Sequence, residues 1–398
     1  MTSDPSPIDP PILLPDIGGT DADAHGLPTR AELSIAERLI VGASAFADLG
    51  LRTAVASMVG AAMIPPVLAT AVGHGQLRDD WDNLEFYAER AAERDATRSF
   101  PAPTVPPRVS SRRANPLADR ISAGTVENIA FSSSFEAVNP AMRGPWHALT
   151  RNNVVCAQHW RHDDGPRPTI CAIHGFMGSA YLFNGVFFAL PWFYRAGYDV
   201  LLYTLPFHGR RAEKWSPFSG YGYFAYGMSG FAEAMAQAVH DLRSVIDYLE
   251  FTGVERIALT GISLGGYTAA LLAAVEKRLQ AVIPNVPVVS VISELDDWFP
   301  ANMVFRLGTR LGRVGGEEFA SAVAYHSPLN YPPLVARNRR LIITGLGDRL
   351  APPQQAEMLW EHWDRCALHW FPGNHVLHVS QPAYLRRMTK FLRPFMFD

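Results

Sequence analysis

The chain has 398 residues, 48% of them hydrophobic and 18% charged, with a formal net charge of −3. That length supports one large domain with an extension, or two domains, around a sizeable core. The near balance of charge gives no bulk attraction to nucleic acid or to an anionic membrane. Three cysteines, Cys156, Cys171 and Cys366, form neither a disulfide framework nor a zinc spacing, and read as buried free thiols in a reducing compartment.

In chain order, residues 1–30 are rich in proline and lack a basic region followed by an apolar run. They are expected to be largely irregular, with no secretory signal. Residues 31–118 read as a helical extension followed by a linker. Ala31 to Ile40 has helical apolar spacing. Thr53 to Leu77 then carries no Asp, Glu, Lys or Arg, long enough to span a bilayer. It is rich in Ala and Gly, and Pro65-Pro66 is expected to break it. A helix-break-helix that packs on the core, or dips into a membrane face, fits better than a span. Five prolines between Pro101 and Pro116, with Ser110, Ser111, Arg112 and Arg113, have the composition of a linker.

The pattern changes at about residue 124, and 119–398 reads as one α/β domain. Strands are expected at Val154–Trp160, Thr169–Ile173, Asp199–Tyr203, Arg256–Thr260, Ala281–Ile283, Leu341–Thr344 and Ala367–Phe371. Helices are expected over 180–196, 228–251, 353–364 and 381–396. Strands alternating with helices imply a mostly parallel sheet buried on both faces. The irregular section at about 290–335 reads as a small cap. Trp215 to Phe231 crowds seven aromatic residues among glycines, and fits either a lid over an apolar pocket or a core-packing loop.

The chemistry centres on Gly261-Ile262-Ser263-Leu264-Gly265, set between an apolar strand and a helix. That context makes a nucleophile elbow, whose tight turn requires small neighbours and presents the serine at its tip. The Leu264 amide, opening a helix, would face the same space. A serine hydroxyl needs a general base, and the base needs an orienting acid. Asp348 follows a strand end in Gly345-Leu346-Gly347-Asp348, ahead of the rivals Glu294, Asp296 and Asp297. His375 follows the last strand in Gly373-Asn374-His375, with His378 as its rival. His174-Gly175-Phe176, also at a strand end, can supply a second oxyanion donor, expected to be the Phe176 amide. Arg210 and Arg211 read as solvated or locally paired, and His208 as structural. No phosphate-binding loop, dinucleotide fingerprint or His-Glu-x-x-His is present, so no cofactor and no metal is expected.

On these pieces, the region from about 150 to 398 resembles an α/β-hydrolase-fold serine hydrolase of the esterase and lipase type. The resemblance implies Ser263 as nucleophile, His375 as base and Asp348 as acid. Thr260 to Gly266 and Leu205 to Arg211 are similar to an uncommon α/β-hydrolase-domain subgroup linked to lipid acyl chains. The expected substrate is a carboxylic ester, a lipid or thioester among them. The alternatives are an acyltransferase with the same triad and a non-catalytic, membrane-associated binding protein. The expected setting is cytoplasmic, with membrane-surface contact through residues 53–77.

Overall fold

A computed structural model of the chain describes residues 26–71, 76–114, 124–178, 180–312 and 315–398. Of the irregular N-terminus expected over residues 1–30, residues 1–25 lie outside them, and 26–30 carry neither helix nor strand. Strands β1 (Ser110–Arg113), β2 (Thr125–Ser132), β3 (Val154–Arg161), β4 (Thr169–Ile173), β5 (Asp199–Tyr203), β6 (Ile257–Ile262), β7 (Leu279–Asn285), β8 (Leu341–Gly345) and β9 (Ala367–Phe371) form one sheet. Their spatial order is β1-β2-β3-β5-β4-β6-β7-β8-β9. From β5 to β9 every pairing is parallel, whereas β1, β2 and β3 add antiparallel at one edge. The fold is that of an α/β-hydrolase.

The strands are short apolar runs because both faces of the sheet are covered. Every residue of β4 and β5 is buried. Their side chains alternate between two cores, as the two-residue period of a strand requires. Ile170, Ala172, Val200 and Leu202 enter one core, and Cys171, Ile173, Leu201 and Tyr203 the other. The order of strands reverses at β4, which pairs β5 on one side and β6 on the other. A crevice opens at the C-terminal ends of strands at such a switch point.

The principal helices are α1 (Ile35–Ala71), α2 (Gln76–Glu93), α3 (Tyr181–Phe187), α4 (Leu190–Arg195), α5 (Gly227–Phe251), α6 (Leu264–Leu272), α7 (Val291–Asp297), α8 (Ala301–Gly312), α9 (Gly316–Val323), α10 (Pro353–His362) and α11 (Gln381–Met396). Helices α7 to α9 occupy the section expected as a cap. Val55, Ala56 and Val59 of α1 pack with Ala301 of α8 and with Leu350. Glycine permits this close approach, since a Cβ on Gly60 would lie 3.3 Å from the Ala301 Cα. Leu84, Tyr87 and Ala91 of α2 join the core beneath α5.

Three expectations are corrected. Helix α1 runs through Pro65-Pro66 unbroken. Proline cannot donate to the carbonyl four residues back, but for Pro65 that residue is Ala61, which is exposed and open to water. Packing against α8 keeps the helix continuous, as tertiary contacts override propensity. The expected helix over 180–196 is two helices, parted at Ala189, whose φ is 50°. Within the section expected as a linker, Ser110–Arg113 is a strand, exposed along its length and, among the described residues, paired with β2 alone. A polar edge strand carries no alternation of apolar residues, so its pattern was silent.

Candidate active site

Ser263 stands where β6 gives way to α6, with φ 56° and ψ −117°. A non-glycine residue held there is strained, and the surrounding turn must impose it. The imposing contacts are backbone against backbone. A Cβ on Gly261 would lie 2.1 Å from the Gly265 carbonyl oxygen, and one on Gly265 would lie 2.1 Å from the Ile173 carbonyl oxygen. The Ser263 amide donates to the Asn285 carbonyl at 3.0 Å, tying the turn to β7. The serine is 6% exposed.

The loop after β4 lies directly on this turn. A Cβ on Gly175 would sit 3.2 Å from the Ser263 Cβ. His174 braces the loop from behind: its Nε2 accepts from the Leu205 amide at 3.2 Å, which leaves Nδ1–H to donate to the Gly175 carbonyl at 2.8 Å. Burial lowers its pKa to about 4, so the brace is a neutral imidazole. Leu264 opens α6, and its amide has no acceptor within the helix.

Asp348 lies just beyond β8 and is fully buried. Its Oδ2 is 2.7 Å from the His375 Nδ1, while Oδ1 accepts the amides of Leu350 and Ala351 at 2.9 and 2.7 Å. His375 follows β9 and is 5% exposed. Asn374 shapes its loop, since its Oδ1 accepts the amides of Val376 and Leu377. The rival His378 is a support for that loop. Its Nδ1 meets the Tyr384 hydroxyl and its Nε2 meets the His375 carbonyl, and burial lowers its pKa to about 4. The rival acids lie on α7, where Asp297 is exposed.

Ser263, Leu264 and Phe176 line one pocket of about 100 Å³, closed by Tyr223, Phe224, Phe231, Tyr267, Val288, Val291, Val59 and Trp298. None of these side chains carries a charge. Tyr223, Phe224 and Phe231 come from the aromatic segment, which therefore walls the pocket. Arg211 does not reach it. Its guanidinium is buried and bonds Asp241 at 2.7 Å, and Arg210 is exposed. Among the described residues, no group of three or more His, Cys, Asp or Glu could hold a metal ion.

This geometry has known relatives. A model of the prolyl oligopeptidase family matches residues 225–393, which contain Ser263, Asp348 and His375. The uncharacterized protein Rv2627c of Mycobacterium tuberculosis is 32% identical over 307 residues, covering 74% of this chain and 69% of that protein. The chain belongs to the α/β-hydrolase superfamily of serine hydrolases. Among solved structures, the acetyl xylan esterase from Paenibacillus sp. R4 superposes with a TM-score of 0.54 at 14% identity, over 80% of this chain and 94% of that one. Acetyl xylan esterase 1 from Thermoanaerobacterium sp. JW/SL YS485 gives 0.52 at 15%, over 78% and 93%. At such identities these two likenesses show the fold. The chemistry of the superfamily is hydrolysis of ester or amide bonds.

Sequence reasoning missed what the hydrolase takes from α1. Val59 walls the pocket, and Asp48 and Ser44 touch the loops carrying Asp348 and His375. The available signal was a lone carboxylate, Asp48, in a helix otherwise uncharged from Leu39 to Leu51.

Proposed function

We propose that this hydrolase cleaves carboxylic esters with an apolar acyl group, lipid or thioester substrates among them. The observation that carries the proposal is a strained serine set in the wall of an uncharged pocket, at the switch point of the sheet. Ser263 Oγ attacks the carbonyl carbon while His375 Nε2 takes its proton. Asp348 holds the ring through Nδ1 and stabilises the imidazolium. The amides of Leu264 and Phe176 receive the oxyanion. The tetrahedral intermediate collapses, the ester C–O or thioester C–S bond breaks, and His375 returns the proton to the leaving alkoxide or thiolate. Water then attacks the acyl-enzyme with His375 again as base. The acid leaves and Ser263 regains its proton.

The exposed side of α1 supports an apolar substrate presented at a lipid surface. Leu39, Phe46, Ile64 and Leu68 are exposed on the helix that carries Val59, and Met303 and Leu307 are exposed on the adjoining α8. Ile35–Pro65 is also long and apolar enough to cross a membrane.

Labelling with a fluorophosphonate tests the assignment. Wild-type protein is expected to label at Ser263, and Ser263→Ala to remain unlabelled and to lose on the order of 10⁴ to 10⁶ in turnover on an ester panel of graded chain length. A Ser263→Ala variant that turns over at the wild-type rate overturns it.

A further inference from the structure

The matched family span begins at residue 225, so α1 lies wholly outside it. Yet α1 makes direct bonds to both loops that carry the acid and the base. Asp48 is 1% exposed, and its Oδ2 accepts the Arg349 amide at 2.5 Å and the Leu350 amide at 3.0 Å. The same Leu350 amide also reaches Asp348 Oδ1 at 2.9 Å. Two buried carboxylates thus grip one turn of backbone from opposite ends. One helical turn earlier, Ser44 Oγ shares its proton between the Val41 carbonyl at 3.1 Å and the Pro372 carbonyl at 3.2 Å, and the Ser44 carbonyl accepts from Asn374 Nδ2 at 2.8 Å. The two loops are themselves joined where the Gly347 amide donates to the Gly373 carbonyl at 2.8 Å. Gly347 suits this meeting, since a Cβ there would lie 2.9 Å from the Gly373 carbonyl oxygen and 2.2 Å from Ser44 Oγ.

A buried carboxylate is a costly way to hold a loop unless its charge or its acceptor oxygens are needed there. Burial pushes the Asp48 carboxyl above its ordinary value, the Arg349 amide opposes this, the nearby Asp348 charge adds to it, and the His375 ring works against it. Its Oδ1 makes no hydrogen bond. Such a group is spent on orientation of the neighbouring loop, and the loop it orients is the one that presents Asp348.

We infer that α1 is a working part of the catalytic centre, with Asp48 as a positioning residue that fixes the turn after Asp348 and Ser44 as its counterpart at the His375 loop. The inference rests on the assignment of Asp348 and His375 proposed above. Asp48 acts through Asp348, so its effect vanishes when Asp348 can no longer act.

A double-mutant cycle tests this, read as the rate of fluorophosphonate labelling at Ser263 and as kcat and KM per titrated site on a soluble p-nitrophenyl ester. Asp48→Ala is expected to slow labelling and kcat about tenfold with KM unchanged. In an Asp348→Ala background the same change is expected to cost less than twofold. Asp48→Asn keeps one acceptor oxygen, and a loss of about threefold is expected. If Asp48→Ala does not fold, the cycle is run with Asp48→Asn, whose loss must likewise disappear with Asp348→Ala. Equal losses in both backgrounds would mean a general structural role and overturn the inference, as would Asp48 variants that match wild type. Wild-type protein that does not label at Ser263 defeats instead the assignment on which the inference rests.

Discussion

The parallel half of the sheet and the long first helix both supply groups to the candidate active site, but they differ in how those groups are specified. Strands β6, β8 and β9 each end in a short glycine-bearing loop, and Ser263, Asp348 and His375 stand on those loops. Parallel strands deliver their C-terminal ends to one edge, so strand position alone predicts neighbourhood. Helix α1 follows no such rule. Ser44 and Asp48 meet residues some 300 positions away, and locally the lone carboxylate of Asp48 is the one mark on the face that turns inward. A fold's repeating units advertise their working ends, whereas an added element is read only through what it touches.

Breaking the sheet's contribution is expected to have the largest effect. Asp348→Asn keeps an oxygen for the Leu350 and Ala351 amides but places an amide against His375 Nδ1, which favours the wrong tautomer. A loss of about 10⁴ in kcat is expected with little change in melting temperature. A loss below tenfold would remove Asp348 from the mechanism and with it the contrast between strand-end and helix-borne groups.

A smaller effect is expected at the seam between the N-terminal helices and the core. Glu233 of α5 is buried and accepts from the Tyr87 hydroxyl of α2 and from the amides of Val138 and Asn139, each at 2.8 Å. Burial raises its pKa from 4.5 to about 7, against those hydrogen bonds. The folded state therefore holds a proton that the unfolded chain releases above about pH 4.5. The stabilisation is complete below that pH and is lost as pH rises towards 7, a change on the order of 3 kcal/mol. Glu233→Gln removes the titration, so the melting temperature of the variant relative to wild type should rise between pH 5 and 7.5. A constant difference across that range would show that Glu233 titrates as an ordinary carboxylate.

The smallest effect on chemistry belongs to the outer side of α1. Phe46 is 79% exposed and Leu39 69%. Replacing both by serine is expected to reduce co-sedimentation with phosphatidylcholine vesicles several-fold, while turnover of a soluble ester stays within about twofold. Unchanged sedimentation would remove the lipid-surface part of the proposal and leave the inner face of α1 as its working side.

Within the hydrolase region, the seven strands expected from apolar runs are all present, with ends displaced by a residue or two. The elbow was legible because Gly-x-Ser-x-Gly lay between a strand and a helix. The placement of Asp348 and His375 just past strand ends was legible because each follows a short apolar run. The exposed edge strand at Ser110–Arg113 was not, since hydrogen bonds to β2 form it without any buried side chain. Nor was the continuity of α1, because packing against α8, and not local propensity, carries the helix through the two prolines.

The amino-acid sequence by itself determined the alternation of strands and helices, the left-handed turn at Ser263 and the loops that bear Asp348 and His375. Those features follow from local spacing, from the steric demands of glycine and from the common direction of parallel strands. Tertiary structure alone decided that Asp48 and Ser44 would seat on those loops, that Val59 would wall the pocket, and that Arg211 would turn inward to Asp241. Each of these depends on packing between distant segments, and burial and hydrogen bonding there are set by the partner surface rather than by neighbours along the chain.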